Sequence, residues 1–178
     1  MTSVRAARDK PGGDAGADSY ELFASLYPGL RRFAAVVGDA DMDPDDLVQD
    51  ALVATLGRHD LGEIRVPAAY LRQAILHQVA NRRRRAGRLR RLIPRLVGDA
   101  ARHDHYPSDL SALDELTPLD RAVVFLIDVE RFTSDEAAAH LGLTAVSARK
   151  RASRARTQLR STLRPGLTVL DPLPEEPA

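Results

Sequence analysis

Apolar residues recur at helical spacing in two stretches of this sequence, 19–85 and 111–163. The segment between them carries Gly87, Pro94, Gly98 and Pro107 and only weak periodicity. This pattern predicts an all-α protein made of two small helical domains joined by a flexible linker. In the first stretch Leu22, Phe23, Leu26, Leu30, Phe33, Ala34 and Val37 share a stripe, which Pro28-Gly29 should kink or break. Asp43 as N-cap and Pro44 at the first helical position open a second helix to about Leu56. Its buried stripe is expected to be Leu47, Val48, Ala51, Leu52 and Leu56, with Asp45, Asp46, Gln49 and Asp50 outside. Gly57 to Pro67 reads as a loop. A third helix follows from about Ala68 to Arg85 or beyond, with Leu71, Ala74, Ile75 and Val79 inward.

The second stretch is punctuated more sharply. Thr117-Pro118 is a cap followed by a first-position proline, and Leu119, Ala122, Val123, Leu126 and Ile127 follow at helical spacing. Thr133 and Glu136 have capping-box spacing and open a short helix through His140. Leu141-Gly142-Leu143 ends it in a tight turn, and Thr144 caps a last helix to about Leu163. Two helices joined by a short glycine-containing turn form a helix-turn-helix pattern. The expected organisation is a disordered segment 1–18, a first domain 19–90, a linker 91–112, a helix-turn-helix domain 113–163 and a disordered tail 164–178.

A formal net charge of +1 conceals strong segregation. Residues 1–64 carry −6, 65–102 carry +10, 103–148 carry −7, 149–164 carry +7 and 165–178 carry −3. Two basic blocks, each preceded by an acidic one, suggest two surfaces for a polyanion and two for something else. In the last helix Ala148, Ala152, Ala155 and Leu159 form one apolar face. Ser147, Lys150, Ser153, Arg154 and Thr157 lie opposite, with Arg149, Arg151 and Arg156 on the flanks. No acid stands between Glu136 and Asp171 to balance this charge. Such a helix suits the major groove, its central polar residues toward base edges and its flanking arginines toward phosphates. The other reading is a basic helix that packs only on protein. The cluster Arg82 to Arg85 with Arg88, Arg90 and Arg91 is less specific and fits any polyanion. The acidic helix 45–50 is either a solvated face or a docking face for a basic protein surface.

Composition removes several classes. There is no cysteine, hence no disulfide and no thiolate metal site. No apolar run approaches the length of a membrane span, and 1–18 lacks the apolar stretch of a secretory signal. A cytoplasmic protein is expected. His103, Asp104 and His105 are adjacent in a linker without a second cluster, so no metal is expected there. No P-loop, nucleotide-binding glycine run or HExxH motif is present. Neither an enzyme nor a cofactor is expected.

Two stretches resemble a known family. Asp45-Asp46-Leu47-Val48-Gln49-Asp50-Ala51-Leu52 resembles the "EDLVQE-F" helix of extracytoplasmic-function (ECF) sigma factors, sigma-70 family members that direct bacterial RNA polymerase. Leu116 through Leu159 resembles their second domain. Asp135-Glu136-Ala137-Ala138 stands for "-EIA", Leu141-Gly142-Leu143-Thr144 for "LGIS", and Ser147 to Arg156 for "TVKSRL-RAR". The resemblance implies a region 2-like domain that binds core polymerase through Asp45, Asp46, Leu47, Gln49 and Asp50, on the β′ coiled coil. It implies −10 element contacts from Arg58, His77, Asn81, Arg82, Arg84 and Arg85, within the loop 58–67 and the helix 70–85. It implies −35 element contacts from Ser147, Arg149, Lys150, Arg151, Ser153 and Arg154 in a region 4-like domain. Implied partners are core polymerase through its β′ and β subunits, promoter DNA and an anti-sigma factor.

Departures from the family pattern qualify this. Tyr70-Leu71 replaces Trp-Leu, His77 stands at an Asn position and Asn81 at an Asp position. Either residue would face DNA or serve as an intrahelical partner. Val146 replaces a small residue and Ala148 replaces Val. Two other readings stay open: a stand-alone helix-turn-helix regulator, and a sigma-like adaptor that no longer initiates transcription.

Overall fold

A computed structural model describes residues 14–92 and 109–163. The expected linker core with His103, Asp104 and His105, and both tails apart from 14–18, lie outside the described residues. The chain divides into two compact units, 1–84 and 85–178. Among the described residues there is no strand.

The first unit contains α1 (Asp14–Val37), α2 (Pro44–Leu56) and most of α3 (Pro67–Leu92). Leu30, Phe33, Ala34 and Val37 of α1 meet Leu47, Val48 and Ala51 of α2 and Leu71, Ile75 and Val79 of α3 in the core. α1 begins at Asp14, inside the segment expected to be disordered, and runs through Pro28-Gly29 as one element. The proline removes a backbone donor. The four buried residues that follow it fix the second half of the helix, and two polar ties to α2 bracket the site. The Tyr27 hydroxyl and the Arg31 Nε, four residues apart, both donate to Asp45 Oδ1, at 2.6 and 2.8 Å.

The start of α2 follows its sequence signals. Asp43 Oδ1 accepts from the Asp45 N–H at 2.7 Å, and Pro44 occupies the first turn. The buried stripe differs from expectation at its end. Thr55 is buried and donates to the Ala51 carbonyl at 2.7 Å, whereas Leu56 is 50 % exposed. Counting in steps of four from Leu47 and Ala51 reaches Thr55, so helical geometry overrode the hydrophobicity of Leu56. Gly38 sits where α1 and α2 approach closely. A Cβ there would lie 3.0 Å from the Ala34 carbonyl and 3.1 Å from Leu47 Cδ1. The following loop holds a 3-10 turn, Leu61–Glu63, with Leu61 buried. Asp60 caps this turn and accepts from both the Gly62 N–H and the Ser19 hydroxyl at 2.9 Å. α3 continues through Gly87 to Leu92, into the region expected to loosen into linker.

The second unit contains a 3-10 turn (Asp109–Glu115), α4 (Pro118–Val124), a π-helical turn (Phe125–Val129), α5 (Ser134–Leu141) and α6 (Ala145–Leu163). Thr117 caps α4 and Thr133 with Glu136 forms a complete capping box on α5. Gly142 ends α5 with φ 67°, a conformation that costs an L side chain about 1–2 kcal/mol. The Leu143 N–H returns to the Ala138 carbonyl at 2.9 Å, and the Ser147 N–H finds Thr144 Oγ1 at 3.2 Å. Ala148, Ala152 and Ala155 of α6 are buried with Leu116, Ala122, Val123, Leu126, Ala137 and Leu141. Small residues along α6 let its axis approach α4 and α5 closely.

Candidate functional site

Three surfaces carry the chemistry suggested by the sequence. On α2, Asp46, Gln49 and Asp50 are exposed, and Val53 and Leu56 continue the same outward stripe at 65 and 50 % exposure. The face is thus acidic at its N-terminal end and apolar at its C-terminal end. Leu47, expected as a docking residue, is fully buried and has no surface to offer a partner. Its period from Val48 and Ala51 turns it into the core, so it holds the helix in place. Asp45 is half-buried and tied to α1. The Tyr27 and Arg31 hydrogen bonds hold its carboxyl below the ordinary range and raise the Tyr27 phenol above its own. Val53 and Leu56 were missed by sequence reasoning, although the wheel drawn from Leu47 places both outward.

On α3 the arginine cluster divides in two. Arg82 and Arg83 extend the inward stripe of Leu71, Ile75 and Val79 beyond the core, and each meets an acid. Arg82 Nη2 pairs with Asp50 Oδ2 at 2.7 Å. Arg83 grips Asp39 with two hydrogen bonds of 2.6 and 2.5 Å. Arg82 was expected to contact DNA; in this structure it is a bridge between α3 and α2, because the helical period turns it toward Asp50. His77, Arg84, Arg85 and Arg88 are exposed, with His77, Asn81, Arg84 and Arg88 on one stripe. Asn81 accepts from Arg84 Nη2 at 2.6 Å, the intrahelical partnership foreseen as one of its two roles. Arg58 is exposed at the start of the 57–67 loop. That loop is held by Leu61, by the Asp60 cap and by an edge contact of His59 on Tyr70, with centroids 5.5 Å apart. The Gly62 N–H, then Ser19, hold the Asp60 carboxyl below its ordinary range.

On α6 the same division recurs. Arg151 Nη1 pairs with Asp120 Oδ1 at 2.7 Å, and Arg156 holds Asp128 through contacts of 3.0 and 2.5 Å. The Asp128 hydrogen bonds raise the Arg156 pKa further. Arg151, expected to contact DNA, is half-buried here and fastens α6 to α4, since it adjoins the buried Ala148 and Ala152. The far end of α6 is tied to the 3-10 turn by Gln158 and Thr162, which contact Glu115 at 3.1 and 2.9 Å. What remains outward is Arg149, Lys150, Ser153, Arg154 and Thr157, all exposed, with Ser147 half-buried at the first turn. Arg149, Lys150 and Arg154 make no ion pair among the described residues. Their charge is available to a polyanion. Val146 shares this outward stripe, was absent from the residues expected there, and is 52 % exposed. No described helix is long and apolar enough to cross a membrane.

Comparison with known proteins identifies the family. Residues 110–159, which take in all but the last four residues of the helix-turn-helix domain, match the family model of sigma-70 region 4. The chain is 33 % identical over 144 residues to the RNA polymerase sigma-E factor of Streptomyces avermitilis, covering 75 % of this chain and 78 % of that protein. The sigma-E factor of Streptomyces coelicolor is likewise 33 % identical, with the same coverage. Among solved structures, the sigma factor RpoE in complex with the anti-sigma factor NepR from Bartonella quintana matches with a TM-score of 0.63. It is 26 % identical, over 83 % of this chain and 97 % of that one. CnrH, in complex with the cytosolic domain of CnrY, matches with a TM-score of 0.57 and 28 % identity, over 85 % of this chain and 90 % of that one. The family model covers most of the helix-turn-helix domain, and the matches to the sigma-E factor of Streptomyces avermitilis and to RpoE extend over 75 and 83 % of the chain. The chain belongs to the sigma-70 family of RNA polymerase sigma factors, of the extracytoplasmic-function type: a transcription initiation factor, not an enzyme, that works with RNA polymerase and DNA.

Proposed function

We propose that this sigma factor docks on the β′ subunit of core polymerase through the outward face of α2, formed by Asp46, Gln49, Asp50, Val53 and Leu56. Leu47 and Asp45 position that face from behind. α6 enters the major groove of the −35 element with Lys150, Ser153 and Arg154 toward the bases and Arg149 toward the backbone. The outward stripe of α3, with His77, Arg84, Arg85 and Arg88, lies along the −10 element, and Arg58 approaches it from the 57–67 loop. Arg82 and Arg151 act at one remove by fixing their helices. The second unit also contacts the β subunit. The protein works in the cytoplasm, where polymerase and DNA are. The observation that carries the reading is the outward face of α6, cationic along its length and held by a packed helix-turn-helix.

Holding unpaired cations outward has a defined consequence. Each phosphate neutralised releases condensed counterions, so binding weakens steeply with salt. Sequence discrimination comes from the few side chains that reach base edges. A partner that covers such faces would silence the factor. RpoE is solved in complex with the anti-sigma factor NepR and CnrH in complex with the cytosolic domain of CnrY, which supports an anti-sigma partner for this chain.

Run-off transcription from a promoter library with bacterial core polymerase tests the proposal. Transcripts that need this chain, share two upstream elements and weaken when Asp46 and Gln49 are changed to Ala are the expected result. Duplex binding without polymerase and no transcript would instead indicate a stand-alone regulator.

A further inference from the structure

Val146 does not fit a solvated helix face. It is the second residue of α6, after the Thr144 cap. It lies on the stripe directly opposite the buried Ala148, Ala152 and Ala155, at the head of the run Val146, Lys150, Ser153, Thr157. Its neighbours on that stripe are polar or cationic, and it is 52 % exposed. Among the described residues of α6 it is the large apolar side chain left in water. Helix formation does not explain it, because a β-branched side chain loses χ1 freedom in a helix and Ala would serve better. Packing within α6 does not explain it either, since it lies opposite the buried Ala148, Ala152 and Ala155 and keeps half of its surface exposed.

The position does fit recognition. Side chains at the N-terminal end of a recognition helix are the ones that reach base edges. In the major groove the base pair A·T presents a feature no polar side chain can use, the C5-methyl group of thymine, and an apolar side chain is its natural contact. Lys150, one turn further on, and Arg154, a turn beyond that, are exposed cations on the same side of the helix, and Arg149 beside them is free to meet the backbone. We propose that Val146 is a specificity-determining residue of α6, which reads a thymine methyl in the upstream promoter element by burying its own methyls against it. This rests on the assignment of α6 to the −35 element and adds the chemistry of one base.

Replacing a thymine by deoxyuridine removes only that methyl. The full chain would be assembled with bacterial core polymerase on its strongest promoter, and each thymine of the upstream element replaced singly by deoxyuridine. Complex formation is then measured for the native chain, Val146→Ala, Val146→Ile and Lys150→Ala. At one position deoxyuridine should weaken the native complex roughly fourfold, the scale of one buried methyl group. Val146→Ala should bind the thymine promoter as weakly as the native chain binds the deoxyuridine one, and lose its sensitivity to the replacement. Val146→Ile should keep it. Lys150→Ala should bind more weakly on both templates with the methyl effect intact. The thermal midpoint of Val146→Ala should not fall, as it would if the residue were structural. Equal deoxyuridine sensitivity of the native chain and Val146→Ala at every position overturns the proposal, as does an upstream element without thymine. Failure of the α6 assignment looks different: no promoter-dependent complex, no effect of Lys150→Ala, and the proposal falls with it.

Discussion

The C-terminal half of α3 and the whole of α6 are both arginine-rich helices, yet they are seated in opposite ways. α6 is packed along its length, with buried alanines at 148, 152 and 155 and polar ties at Arg151, Arg156, Gln158 and Thr162. α3 has its last buried residue at Val79, is fastened once more by Arg82 and Arg83, and carries Arg84, Arg85 and Arg88 beyond them. A helix whose side chains are held in fixed register can distinguish bases, because hydrogen bonds and methyl contacts are lost within an ångström of misplacement. A helix end that extends past its core supplies charge at lower positional demand, which is enough for phosphates. The contrast teaches that basic character alone does not define a reading surface; the packing behind it does.

The largest test of that contrast is steric. Ala152→Leu forces three extra carbons between α6 and its neighbours and should destabilise the second unit by about 1–3 kcal/mol. Ala86→Leu on the exposed part of α3 should change stability by no more than about 0.5 kcal/mol. Thermal melts of the two variants measure the difference, and equal midpoints would erase it. Next come the cations. Arg154→Ala should cost about 1–3 kcal/mol of promoter binding and relax base preference at one position. Arg84→Ala or Arg88→Ala should weaken binding alike on all promoters and reduce the salt slope by about one. Binding titrations of holoenzyme across salt concentrations separate the two behaviours.

A smaller effect tests the turn that aims α6. Gly142→Ala places a side chain at φ 67° and should cost about 1–2 kcal/mol. Promoter discrimination should fall more than binding itself, since the turn sets register. The smallest effect concerns pH and the seating of α2. The Asp45 carboxyl is depressed by Tyr27 and Arg31, Asp60 by Gly62 and Ser19, and Glu136 by Thr133. A depressed carboxyl contributes stability that is present above the unfolded value near about 4 and is lost as pH falls through the lower folded value. Stability should therefore decline below about pH 4, and Asp45→Asn should shallow that decline in acid titrations followed by circular dichroism. Asp60 and Glu136 are exposed and Asp45 is only half-buried, so each contribution is small.

Much of the fold is legible because helix starts are chemically explicit. Asp43-Pro44, Thr117-Pro118, Thr133 with Glu136, and Thr144 each cap where the sequence places them. Gly142 takes the left-handed conformation that only glycine adopts freely. Arg131 takes a similar one at φ 62°, and no glycine or asparagine marked it. The ion pairs that the sequence does not announce share one cause, partners distant in sequence. Arg82 and Asp50 are 32 positions apart, and Arg151 and Asp120 are 31 apart. Composition showed arginines available to DNA, and folding assigned these two to acids. Pro28 reads as a break, but the packing of Leu30 to Val37 and the ties to Asp45 carry α1 through it. On the surfaces, Val53 and Val146 stand among polar residues that drew the reading, and Leu56 was assigned to the buried stripe. An apolar residue on an outward stripe draws notice only once the core-facing side is fixed.

The most direct test of the central claim, that the outward face of α6 reads the promoter for polymerase, is run-off transcription with core polymerase and the chain bearing Lys150→Ala and Arg154→Ala. The account predicts promoter-specific transcripts with the native chain and their loss with the variant, while the variant still competes with the native chain for core polymerase through α2. Undiminished, equally selective transcription by the variant would contradict it.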